Sequence, residues 1–138
     1  YGHTEQMADL IGRILAEKGV RKIRIHDTSK THPSYIINDI FRYKGVILGS
    51  CAYNGGIFPT METLLCELEN MGVKNHCLAY FGNKTWGGGA IPRLKAFAEK
   101  IKWEVVAEPN ETSGSMKPSD IEQCRAIAEA MAAKIKGA

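Results

Sequence analysis

The chain lacks the features that would commit it to a membrane, to nucleic acid or to a disulfide scaffold. Its 138 residues contain no apolar run approaching a membrane span, which takes roughly 20 residues. The four cysteines, Cys51, Cys66, Cys77 and Cys124, fall at irregular spacings with no CxxC pair. That pattern indicates free thiols in a reducing cytoplasm, not a disulfide framework or a zinc site. The net charge is only +3, and no block of like charge occurs. A nucleic-acid footprint would be a basic stripe with interleaved aromatics, so no nucleic-acid partner is expected. The chain shows no basic leader followed by an apolar segment, and it does not begin with Met.

What is present is an ordinary soluble composition, 44% apolar and 24% charged, arranged as a regular alternation. From His3 the chain reads as a helix, with Met7, Leu10, Ile11, Ile14 and Leu15 on one face and Gly19 as its stop. Lys22 to Ile25 alternates as a strand. Ser34 to Tyr43 reads as a short helix with Ile36, Ile37, Ile40 and Phe41 facing a core. Val46, Ile47 and Leu48 form an apolar run between glycines, suited to a strand buried on both faces. Pro59 opens a helix carrying Met61, Leu64, Leu65 and Leu68, and Gly72 ends it. His76 to Phe81 is a strand, Ile91 to Ile101 a helix, and Trp103 to Val106 a short strand. Pro118 and Ser119 start a last helix, with capping-box spacing from Ser119 to Glu122 and a stripe through Ile121, Cys124, Ile127, Ala128 and Met131.

Such alternation predicts right-handed crossovers and one three-layer α/β domain over residues 1–138, a doubly wound parallel sheet with helices on both faces. The chain opens on a helix-capping loop, so the expectation is a sheet lacking its first strand, in a fragment of a larger protein.

Ligands of open α/β sheets bind outside the carboxyl ends of the strands, and the strand-to-helix loops there are unusual in composition. The first, Tyr1-Gly2-His3-Thr4-Glu5, combines a glycine, a hydroxyl and the free N–H groups of a helix start. It can hold an anion, or Thr4 or His3 can simply cap the helix. The second, Gly49 to Pro59, carries Tyr53, Ile57 and Phe58 but no charge. It reads either as the border of a flat apolar ligand or as a turn with its apolar residues tucked inward. The third runs Phe81-Gly82-Asn83-Lys84-Thr85-Trp86-Gly87-Gly88-Gly89 and can lay an indole on a planar ring, or leave it as a surface aromatic. Between Gly82 and Arg93 the charged residues are Lys84 and Arg93, with no acid. The spacing of Gly82 and Gly87 imitates a Walker motif, but Gly88 stands where lysine is required.

Together these loops resemble those of the flavodoxin family, and most of all the C-terminal flavodoxin domain of flavodiiron (A-type) flavoproteins. The similarity runs from Tyr1 to about Ile135. The resemblance implies FMN as cofactor. Tyr1, Gly2, His3 and Thr4 would take its phosphate, Ser50, Cys51, Ala52, Tyr53, Asn54 and Gly55 one side of the isoalloxazine, and Phe81, Gly82, Asn83, Lys84, Thr85, Trp86, Gly87 and Gly88 the other, with Trp86 as the stacking ring. It also implies an electron-transfer module of an oxygen or nitric oxide reductase, whose partner is a diiron domain or another redox protein. Self-association is left open. Two departures are visible. The serine or threonine that usually precedes the Tyr-Gly pair is absent, and Cys51-Ala52 replaces the usual Pro-Thr. A freestanding flavodoxin is the rival reading, but those carriers are typically acidic. A non-redox module for a phosphorylated ligand or a partner protein is the rival from another class.

His26, His32 and His76 have no carboxylate or cysteine at ligand spacing and read as surface or core residues. Cys51 has no evident base nearby and reads as a packing residue. Asp27 ends a strand, but a phospho-receiver would need an acidic cluster. No catalytic residue and no metal ligand is assigned.

Overall fold

A computed structural model describes residues 2–53, 56, 57, 59–85, 88–113 and 116–136. The elements in chain order are α1 (Gly2–Glu17), α2 (Pro33–Arg42), β1 (Gly45–Ser50), β2 (Ala52–Tyr53), β3 (Gly56–Ile57), α3 (Pro59–Met71), β4 (Cys77–Thr85), β5 (Gly88–Gly89), α4 (Ile91–Ile101), β6 (Glu104–Val105), β7 (Asn110–Ser113) and α5 (Pro118–Lys136).

The sheet is organised on β4. It pairs in parallel with β1 on one side, from Gly45↔Cys77 to Ser50↔Gly82, and with β6 and β7 on the other. Side chains of a strand alternate between faces, and β4 shows this directly. Leu78 and Tyr80 enter a core with Leu64, Leu65, Leu68, Leu94 and Phe97 of α3 and α4. Cys77, Ala79 and Phe81 enter a second core with Met7, Ile11 and Ile14 of α1 and Cys124, Ile127 and Met131 of α5. This is the three-layer α/β arrangement the alternation predicts. Gly49 is required for close packing, because a Cβ there would lie 2.1 Å from the Phe81 ring.

The structure corrects several details. Lys22 to Ile25 forms no strand: residues 20–27 carry no regular secondary structure, and Ile25 is 56% exposed. Strand backbone needs a ladder partner, and β1 pairs only with β4 among the described residues. Between the 20–27 segment and β1 lies a cavity of about 820 Å³, lined by Ile11, Leu15, Ile23, Ile47, Leu64 and Met131 among others. Phe41 lies off the buried stripe of α2 and is exposed. The last helix buries Asp120, Cys124, Ile127, Ala128 and Met131, so the stripe begins at Asp120 and leaves Ile121 exposed. Strand β7 was not anticipated, because Asn110-Glu111-Thr112-Ser113 is wholly polar. Its Asn110 and Thr112 are nonetheless buried.

Asp120 explains that burial. Its Oδ2 accepts from the Thr112 hydroxyl at 2.8 Å and from the Lys117 N–H at 2.9 Å. The second bond caps α5, so Asp120 reaching back takes the place of the expected Ser119–Glu122 box. Burial alone would push this carboxyl up. Bonds from Lys117, Thr112 and Asn110 outweigh it and hold the carboxyl below its usual range. Asp120→Asn is therefore expected to cost about 1–3 kcal/mol at pH 7, where the ionised form accepts both bonds. The native carboxyl is depressed, so its contribution is present above the unfolded value and lost as pH falls through the folded one. Urea unfolding of both proteins should show the gap closing under acid; a gap independent of pH would refute the ionised role. In the same core, burial together with the Asp120 charge pushes the Cys124 thiol up to about 11. Fully buried among the α1 and α5 side chains, it is a packing group.

Candidate functional site

The carboxyl ends of β1 and β4 lead into the second and third loops singled out by composition. Thr4 and Glu5, from the first loop, line the same cavity as Ser50 and Cys51. At the first, α1 begins at Gly2, and Thr4 stands inside its opening turn. The Thr4 Oγ1 atom is buried and has no hydrogen-bond partner. It therefore does not cap the helix. A buried hydroxyl without a partner costs free energy, and this one lies beside the positive end of a helix dipole and its free N–H groups.

At the second loop β1 ends in Ser50, which is 3% exposed and donates its hydroxyl to the Cys51 carbonyl at 3.0 Å. The chain then turns as a small antiparallel hairpin, Ala52↔Ile57 and Tyr53↔Gly56. Ile57 is buried with the α3 and α4 core, so it packs inward. At the third loop β4 continues past Phe81 to Thr85 and folds back on β5, with Lys84↔Gly89 and Thr85↔Gly88. Both loops are hairpins, and they rest on each other through β2, β3 and β5. Phe81 reaches this edge with its backbone while its ring fills the core beside α1 and α5. Gly82 packs closely against Ala90 and the Ser50 carbonyl, and Asn83 is buried. The backbone of Gly2, His3, Ala52, Tyr53, Lys84, Thr85 and Gly88 belongs to these elements. Tyr1, Asn54, Gly55, Trp86 and Gly87 lie outside the described residues.

One ion pair at this edge escaped the sequence reading. Arg93, in the first turn of α4, donates from Nε to both carboxylate oxygens of Glu62 at 2.8 and 3.1 Å, and from Nη2 at 2.7 Å. Its charge is thus matched rather than free. The Arg93 hydrogen bond holds the Glu62 carboxyl below its usual range, and the same bond raises the guanidinium. The partners are 31 residues apart, so no local pattern could reveal them.

His26, His32 and His76 serve structure. His26 pairs with Asp39 at 2.6 Å, His32 caps α2 by accepting from the Ser34 N–H, and His76 meets the carbonyls of Lys74 and Ile40. Asp27 accepts from Ser29 in a local turn. Among the described residues no group of three or more His, Cys, Asp or Glu could hold a metal ion, and no helix is long and apolar enough to cross a membrane.

The flavodoxin family model matches residues 1–136. This chain belongs to the flavodoxin family. The domain is 29% identical over 104 residues to the anaerobic nitric oxide reductase flavorubredoxin of Escherichia coli, covering 75% of this chain and 22% of that protein. Among solved structures it superposes on the rubredoxin:oxygen oxidoreductase of Desulfovibrio gigas with a TM-score of 0.93 and 23% identity, over 99% of this chain and 34% of that one. The flavodiiron protein of Giardia intestinalis gives 0.89 and 16%, with coverage of 99% and 34%. The flavodoxin domain thus spans only a part of these relatives, and its fold is theirs.

Proposed function

We propose that this flavodoxin domain binds FMN at the carboxyl edge and relays electrons to a redox partner within a longer oxygen- or nitric-oxide-reducing flavodiiron protein. The observation that carries the reading is the partnerless Thr4 hydroxyl, buried in the first turn of α1. A phosphate would give it a charged acceptor and would also collect the free N–H groups of that turn. The residues therefore fit the group. Bound FMN supplies the electron chemistry, and the protein supplies position and electrostatics. Gly2, His3 and Thr4 would hold the phosphate, the Ser50–Gly55 segment would border one side of the ring, and Phe81–Gly88 would border the other. The D. gigas and E. coli proteins are named for oxygen and nitric oxide chemistry, which supports the choice of parent enzyme.

The test is titration of the protein, freed of ligand, with FMN. Saturable micromolar or tighter binding with a perturbed flavin spectrum is expected, and a flat titration would overturn the reading. In the same assay Trp86→Ala should relieve quenching of bound-flavin fluorescence and weaken affinity, because an aromatic stack is worth about 0.5–1.5 kcal/mol. Unchanged quenching would remove Trp86 from the ring.

A further inference from the structure

The Arg93–Glu62 pair joins the two helices that open directly after the hairpins of the candidate site. Glu62 lies in the first turn of α3, which starts at Pro59 just beyond β3. Arg93 lies in the first turn of α4, which starts at Ile91 just beyond β5. Glu69, whose side chain is 8% exposed, stands 3.6 Å from Arg93 Nη2, and the Cys66 thiol donates to Glu62 Oε2 at 3.2 Å. The guanidinium is thus seated by two acids of one helix. Strand β3 in turn packs on α4 and on β5.

The Glu62 side of this pair is 42% exposed, so the Glu62 contact by itself adds little stability. A bidentate arginine fork does, however, fix direction and spacing in a way a point charge cannot. We infer that Arg93 and Glu62 are positioning residues that fix how the β2–β3 hairpin sits against β5, and so the fit of the flavin ring. This rests on the FMN reading above. The phosphate site stands apart, on α1, and no hydrogen bond or ion pair joins Thr4 to either residue among the described ones. Loss of the pair should therefore weaken recognition of the ring and leave recognition of the phosphate intact.

The experiment compares Arg93→Gln, Arg93→Lys and Glu62→Gln with the wild type, measuring FMN and riboflavin dissociation constants, the bound-flavin spectrum and the urea midpoint. FMN and riboflavin should weaken by the same factor, about tenfold, as expected when only shared ring contacts shift. The spectrum should change in all three, while the midpoint holds in Glu62→Gln and Arg93→Lys, which keep a cation beside Glu69. Arg93→Lys should fall with Arg93→Gln, because charge without the fork does not set the geometry. Wild-type affinity and spectrum in Arg93→Gln and Glu62→Gln would overturn the inference alone, as would a wild-type Arg93→Lys or a loss confined to FMN. A midpoint that falls in step with affinity in all variants would make the pair structural and also overturn it. Failure of the wild type to bind FMN would overturn both readings.

Discussion

Placing six apolar residues in strand conformation ahead of Tyr1 is expected to stabilise the domain by about 3–5 kcal/mol. At mid-range values, six buried apolar side chains gain about 13 kcal/mol and ordering six residues costs about 9 kcal/mol. The site for the strand is the cavity of about 820 Å³ between residues 20–27 and β1. Both of its walls are built for a strand. One face offers Ile11, Leu15 and Met131 of the α1–α5 layer, and the other offers Ile36, Met61 and Leu64. The β1 edge turned away from β4 has no ladder partner among the described residues, so a parallel neighbour would satisfy its backbone as well as its side chains. The cavity also reaches Thr4 and Glu5, where a strand parallel to β1 would hand over to α1. At the usual urea dependence of about 1–3 kcal/mol per molar, the midpoint should rise by one molar or more. Amide exchange at residues 22–25 should slow, since that segment would gain a ladder. A control insert carrying proline at its centre should do neither. Equal midpoints for the apolar and proline inserts would mean that the cavity does not accept a strand.

The same cavity shows where reading the sequence stops short. Alternation at Lys22 to Ile25 reports what those residues could pair with, not whether a partner is adjacent. Conversely, Asn110 and Thr112 hide a strand, because their burial depends on bonds to Met7 and Asp120, made only after folding. The helices were legible because their apolar stripes are local: Leu64, Leu65 and Leu68 declare α3 without reference to anything else. The candidate site was legible as composition, through the uncharged Gly49–Pro59 loop and the glycines after Trp86. That these loops are hairpins braced by Arg93 and Glu62 was not, since the bracing pair is 31 residues apart in sequence. Thr4 is the instructive case. Sequence left it between helix cap and anion ligand, and a single hydroxyl without a partner removed the first alternative.

Thr4→Ala is expected to have two effects of opposite sign. In the absence of ligand the hydroxyl is buried and unpaired, so its removal should leave stability unchanged or raise it slightly, because an unsatisfied buried group is a cost. With FMN the same hydroxyl would donate to a phosphate oxygen, a charged acceptor. Its loss should weaken binding by about 1–3 kcal/mol, between fivefold and a hundredfold or more. Riboflavin shares the ring but has no phosphate, and its affinity should barely move. Thr4→Ser keeps the oxygen and should stay close to the wild type with both ligands. An ordinary capping threonine behaves otherwise: its removal lowers stability without ligand by about 1 kcal/mol and does not distinguish the two flavins. Urea unfolding of the ligand-free variants and parallel titrations with FMN and riboflavin separate the cases. A loss of stability with equal weakening of both flavins would return Thr4 to the role of a cap and take the phosphate away from α1.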